Sequence, residues 1–160
     1  MIAGGSGISF ALSVIQDLVQ KDLKAESRVK VIELVWVVRD PESLAALLPN
    51  LTSLIERSTL TALRINVFYT RAAAGNFSLT PENFCQSGLT LTPGRPRFSS
   101  VLDSAISRIV GLGPKDGEKI TGLVVAVCGP TGLVDDVADA VSGVEAVRRD
   151  SVGGIELHEE

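Results

Sequence analysis

The chain has 160 residues, 45% of them apolar and 21% charged, with a formal net charge of −4. That length supports one substantial core and is short for two, so a single domain over residues 1–160 is expected. The acidic balance speaks against a nucleic-acid partner, which would need a basic surface, and Cys85 and Cys128, far apart with no CxxC pair or His/Cys cluster, speak against a disulfide scaffold or a zinc site.

The opening "MIAGGSGISF" places glycine at three of four successive positions, Gly4, Gly5 and Gly7, after a short apolar start. From Ser9 to Ala25 the apolar residues Ala11, Leu12, Ile15, Leu18, Val19 and Leu23 recur at helical spacing. "VKVIELVWVV" is β-branched and nearly continuous in apolar character, which predicts a central parallel strand covered on both faces. "RDPESLAALL" then offers Asp40 as an N-cap and Pro41 at the first helical position, and Pro49 should break or kink that helix before "NLTSLIERS" resumes the pattern.

"LRINVFYT" reads as another strand, and "RAAAGNFSLTPENFCQSG", without a clear period, as a long loop. A short β-like "LTLT" and the turn "PGRP" lead into "FSSVLDSAISRIVG", a helix with Val101, Leu102, Ala105, Ile106 and Ile109 on one face. "GLGPKDGEK" is a connector, and "ITGLVVAVCG" is the most apolar strand, expected near the sheet centre. "PTGLVDDVADAV" predicts a helix and "VGGIELHEE" a last strand. The apolar runs are strand-sized, well below the roughly 20 residues of a membrane helix, so no direct membrane insertion is expected of these residues, and the opening residues are not expected to act as a secretory signal. The sequons at Asn50 and Asn76 read as chance.

Alternating strands and helices with right-handed crossovers imply an α/β fold: a Rossmann-like parallel sheet of about five strands with helices on both faces. Ligands of such sheets lie beyond the carboxyl ends of the strands, which singles out "AGGSGIS", "RDPES", "YTRAAAG" and "CGPTG". Glycines before a helix let a phosphate approach backbone N–H groups and the positive end of the helix, although an ordinary glycine-rich turn would look the same. "GGSGIS" is neither GxxxxGK[ST] nor GxGxxG, since Phe10 stands where the third glycine of the latter would fall, and this disfavours a P-loop NTPase. The strand before Arg39 ends without the acidic residue first that a standard NAD fold carries, and an arginine at such a strand end suits a 2′-phosphate. His158, Glu159 and Glu160 at the chain end do not meet a metal-ligand spacing, and no metal is expected.

Taken in order, "AGGSGIS", "VWVVRDP", "NVFYTR", "GRPRF", "CGPTGLVDDV" and "GGIELHEE" resemble the NAD(P)-binding domain of the ferredoxin-NADP reductase superfamily, and within it the C-terminal domain of fungal-type ferric-chelate reductases, relatives of the NADPH oxidases. The resemblance spans essentially the whole chain. It implies that Gly4, Gly5, Ser6, Gly7, Ile8 and Ser9 form the pyrophosphate and nicotinamide-side loop, that Thr70 and Arg71 meet the adenosine 2′-phosphate, and that Arg95 adds a further contact. Together these favour NADPH, although Arg71 and Arg95 are also plain surface arginines, and Arg39 reads more readily as the partner of a nearby carboxylate.

Cys128, Gly129 and Pro130 resemble the family's "CGP", in which the cysteine lies beside the nicotinamide; it positions the ring and is no nucleophile. A buried small hydrophobe is its ordinary alternative. The resemblance further implies FAD in an upstream domain of the same polypeptide as partner, haem beyond it, a ferric or cupric chelate as indirect acceptor, and a parent protein at the cytoplasmic face of a plasma or vacuolar membrane. In that light the chain is expected to be part of a longer polypeptide, with its first strand cut short and an aromatic residue missing after "HEE". An NADPH oxidase, delivering electrons to oxygen, and a non-catalytic nucleotide-binding module remain the two other readings.

Overall fold

A computed structural model describes residues 1–71, 88–112 and 121–160 of the chain. The expected loop after Arg71, with Cys85 and the sequon at Asn76, falls almost wholly outside the described residues, as does most of the connector after Leu112. The described residues hold six strands, one more than the expected five or so, and the strand pairs within each unit are parallel, as the α/β class requires. Contacts divide the chain into two compact units, residues 1–95 and 96–160.

The first unit contains β1 (Ile2–Gly4), α1 (Ile8–Leu23), β2 (Val31–Val38), α2 (Glu42–Arg57), β3 (Ala62–Tyr69) and β4 (Leu89–Pro93), with strand order β4-β3-β2-β1. Register sets Ala3 beside Trp36, Trp36 beside Val67 and Val67 beside Leu91, so side chains of one parity share a face. That face carries Ala3, Ile32, Leu34, Trp36, Val38, Leu63, Ile65, Val67, Leu89 and Leu91. It packs with Ile8, Ala11, Ile15 and Val19 of α1 and Leu44, Leu51 and Leu54 of α2 in one buried cluster. The helical spacing read from the sequence is thus the stripe that α1 lays on the sheet, except at Leu23, which is exposed.

A buried polar tie closes the far end of this layer. The Asp22 carboxylate, 4% exposed, accepts hydrogen bonds from Thr61 Oγ1 at 2.7 Å, Thr61 N at 2.9 Å and Leu60 N at 3.2 Å. A buried charge is tolerable only when satisfied in this way, and the tie joins the last turn of α1 to the entry of β3.

Three expectations about α2 and its surroundings need correction. The helix begins at Glu42, with Pro41 in the capping position and no side-chain cap bond; the Asp40 carboxylate turns to Arg71 instead. Pro49 does not interrupt the helix, which is continuous from Glu42 to Arg57. Pro49 is exposed, and so is Ala45, whose carbonyl loses the N–H that Pro49 lacks, so water can serve that carbonyl. The helix survives because Leu44, Leu51 and Leu54 on its other side are anchored in the core.

The second unit contains α3 (Phe98–Leu112), β5 (Leu123–Cys128), α4 (Thr131–Ser142), the six-residue α5 (Ala146–Ser151) and β6 (Ile155–Glu159), with β5 and β6 paired in parallel. Phe98, Leu102 and Ile106 of α3 and Val137 and Val141 of α4 are buried, as are Val125 and Val127 of β5. β5 is less covered than its apolar sequence predicted: Val124 is 58% exposed. Arg148 of α5 reaches α3, with Nη1 3.3 Å from Asp103 Oδ1 and Nη2 donating to Ser107 Oγ at 3.2 Å. No helix among the described residues is long and apolar enough to cross a membrane.

Candidate functional site

Because the four strands of the first unit are parallel, their C-terminal ends share one edge of the sheet. Along that edge lie, in lateral order, the glycine turn after β1, Arg39 and Asp40 after β2, Thr70 and Arg71 after β3, and Gly94 and Arg95 after β4. At one strand spacing of about 4.8 Å, the turn and Arg71 stand roughly 10 Å apart along the edge.

The glycine turn is a 3-10 turn, Gly5–Gly7, running directly into α1 at Ile8. Of its glycines only Gly5 needs to be glycine for its backbone: its φ is +53°, in the left-handed region, and a Cβ built there would meet nothing within 4 Å. Gly4 and Gly7 have ordinary dihedrals, φ −111° and −59°, and both are buried. Gly5 and Ser6 are exposed, so the turn presents backbone to solvent at the N-terminal end of a 16-residue helix. Beneath it, the Trp36 indole N–H donates to the Gly5 carbonyl at 3.0 Å. Sequence reasoning placed Trp36 only within an apolar strand and missed this contact, for which the sequence carries no signal beyond an aromatic residue near a strand end.

Arg71 is fixed by its backbone and left open by its side chain. Its N–H donates to the Arg39 carbonyl at 2.9 Å, and Thr70 N–H to the Val38 carbonyl at 3.0 Å, which continues the β2–β3 ladder past the strand ends. Its guanidinium Nη1 lies 3.5 Å from Asp40 Oδ1, with the two side chains 66% and 45% exposed. The Asp40 carboxylate therefore belongs to Arg71 rather than to Arg39, which is itself exposed. Gly94, with φ +96°, turns the chain at the end of β4 and donates its N–H to the Tyr69 carbonyl at 2.8 Å, placing exposed Arg95 next in line.

In the second unit, half-buried Cys128 ends β5, half-buried Gly129 follows, and exposed Pro130 precedes the first residue of α4. The Pro130 carbonyl accepts from Leu133 N at 2.8 Å and Val134 N at 3.2 Å, so this segment too is a strand end passing into a helix start. At the chain end, His158 Nε2 is 3.0 Å from Glu156 Oε1 rather than gathered with Glu159 and Glu160. No group of three or more His, Cys, Asp or Glu side chains among the described residues could hold a metal ion.

A row of strand ends with a glycine turn at one end and arginines at the other can take an extended anionic ligand, its phosphates against backbone N–H groups and guanidinium. No curated protein matches the chain. The family model for the ferric reductase NAD binding domain matches residues 1–142, a stretch that holds the glycine turn, all the strand-end arginines and the Cys128–Pro130 segment. The chain thus belongs to the ferric reductase NAD-binding domain family, and its cofactor is a nicotinamide nucleotide.

Proposed function

We propose that this chain is the NADPH-binding part of a flavin-dependent ferric- or cupric-chelate reductase at the cytoplasmic face of a membrane. The observation that carries this reading is the lateral order along the β4-β3-β2-β1 edge: a glycine turn suited to pyrophosphate, and an exposed arginine two strands away. That span is comparable with the reach from a dinucleotide's pyrophosphate to the 2′-position of its adenosine. The residues fit the ligand, since open space lies over Gly5 and, among the described residues, the Arg71 guanidinium pairs weakly at the surface with Asp40.

In this reading the turn from Gly4 to Ser9 holds the pyrophosphate, and Thr70 and Arg71 hold the 2′-phosphate by a hydroxyl and a charge-assisted hydrogen bond. Arg95, next along the edge, adds positive charge at the adenosine end, while Arg39 lends it without a direct contact. Cys128, Gly129 and Pro130 border the nicotinamide: a small, half-buried side chain followed by glycine leaves room for a flat ring. Bound there, NADPH supplies a hydride to FAD in a further domain of the same polypeptide, from which electrons pass by haem to the metal chelate.

Calorimetric titration with NADPH, NADH and 2′-phospho-AMP tests this. NADPH and 2′-phospho-AMP should bind about tenfold to hundredfold more weakly to Arg71→Ala, with NADH unchanged. Equal affinities of the unaltered chain for NADPH and NADH would overturn the assignment of the 2′-phosphate site.

A further inference from the structure

Trp36 is the chain's single tryptophan and one of its most buried residues, 2% exposed. It stands opposite Ala3 in the β1–β2 register, and its ring shares a buried cluster with Ala3 and Ile8, on either side of the glycine turn. A buried indole N–H needs an acceptor, and here the acceptor is the carbonyl of Gly5 at 3.0 Å. The same carbonyl also accepts the backbone N–H of Ile8, which closes the 3-10 turn. Two donors thus converge on one oxygen, and both come from inside the protein.

The consequence follows from the geometry of the trans peptide. Its C=O and N–H point in opposite directions, so holding the Gly5 oxygen against Trp36 turns the Ser6 N–H away from the core, toward the exposed side of the turn. Turning the Gly5–Ser6 peptide over rotates Gly5 ψ and Ser6 φ, and Gly5, lacking a Cβ, resists its half of that rotation little, so the orientation rests on Ser6 and on the two donors from Ile8 and Trp36. Flipped, it would present a carbonyl oxygen where an anion should meet a donor. We propose that Trp36 is a positioning residue for phosphate binding: its indole N–H locks the Gly5–Ser6 peptide so that the Ser6 N–H faces the ligand's pyrophosphate. The inference rests on the reading of the glycine turn as the pyrophosphate site.

Trp36→Phe keeps an aromatic ring in the cluster and removes the one donor. The full chain and this variant are titrated calorimetrically with ADP, which carries a pyrophosphate, with adenosine 2′-monophosphate, which carries only the adenosine end, and with adenosine. ADP binding should weaken about fivefold to tenfold in the variant while adenosine 2′-monophosphate stays within about a factor of two. An unchanged ratio between the two ligands, whether both hold or both fall together, overturns the positioning role. Should the unaltered chain bind ADP no better than adenosine, the pyrophosphate reading fails and the proposal with it; a clear ADP preference that Trp36→Phe leaves intact sinks the proposal alone.

A second measurement needs no variant. The single indole N–H gives one NMR cross-peak, which ADP should shift and adenosine 2′-monophosphate should leave in place. An indole signal unmoved at saturating ADP would also overturn the role.

Discussion

At the end of β2, the Asp40 carboxylate lies 3.5 Å from Arg71, the residue proposed to receive a 2′-phosphate. A surface ion pair of this exposure is worth at most about 1 kcal/mol, so it restrains the guanidinium weakly. Its greater effect is on the ligand: a 2′-phosphate docked on Arg71 comes within roughly 6 Å of Asp40, and repulsion through water at that distance costs on the order of 1 kcal/mol. Asp40→Asn should therefore tighten 2′-phospho-AMP binding about threefold to tenfold, leave AMP almost unchanged, and lose most of its effect in 1 M salt. A variant that binds both nucleotides as the unaltered chain does would show that the phosphate lies elsewhere. Asp40 was legible in the sequence only as a helix cap. Its partnership with Arg71 joins residues 31 positions apart through the β2–β3 register, which no local pattern encodes.

Among the elements, those with a long period were legible and those decided by context were not. α1, α3 and α4 turn the apolar residues that helical spacing predicted inward, buried at Ala11, Ile15, Val19, Leu102, Ile106, Val137 and Val141 and half-buried at the rest, Leu23 alone being exposed. β2 is buried or half-buried along its length because its apolar run is nearly unbroken. α5, six residues long, is too short for any period to show, and it is ordered by Arg148 reaching across to α3. β5 misled in the other direction: an apolar strand says nothing of what covers each face, and Val124 is largely exposed.

α2 is the most instructive element, since local chemistry demanded a break at Pro49 and three buried leucines overruled it. The proline's cost is still present in the folded state. Pro49→Ala should restore the N–H bond to Ala45 at an exposed site and stabilise the chain by about 1–3 kcal/mol, measured as a shift of the urea midpoint with unchanged slope. An unchanged midpoint would mean that proline's stiffening of the unfolded chain offsets the missing bond.

For the whole molecule, composition and alternation were enough for the α/β class, and the gathering of the candidate strand ends along one sheet edge followed from parallel topology alone. The division at Arg95–Pro96 was not legible, because it falls in a short turn with no change of composition. The 160 residues taken by themselves carry one further group that bears on their stability, a free α-amino group at Met1. In this chain the α-amino group of Met1 donates to the Glu33 carbonyl at 2.8 Å, and burial lowers its pKa from 8.0 to about 6. The shift disfavours the charged amine in the folded state alone. Above pH 8 the group is neutral in both states and nothing is lost. As pH falls from 8 to 6 the unfolded chain takes up the proton first, so stability drops with decreasing pH and levels off below 6. The two-unit shift corresponds to about 2–3 kcal/mol. Urea unfolding at pH 8.5 and 5.5 should therefore show the free-amine chain losing about that much more stability than an N-acetylated one, since every other titrating group is common to both. Equal losses in the two would place the amino group in solvent and free β1 from any charge-dependent hold on β2.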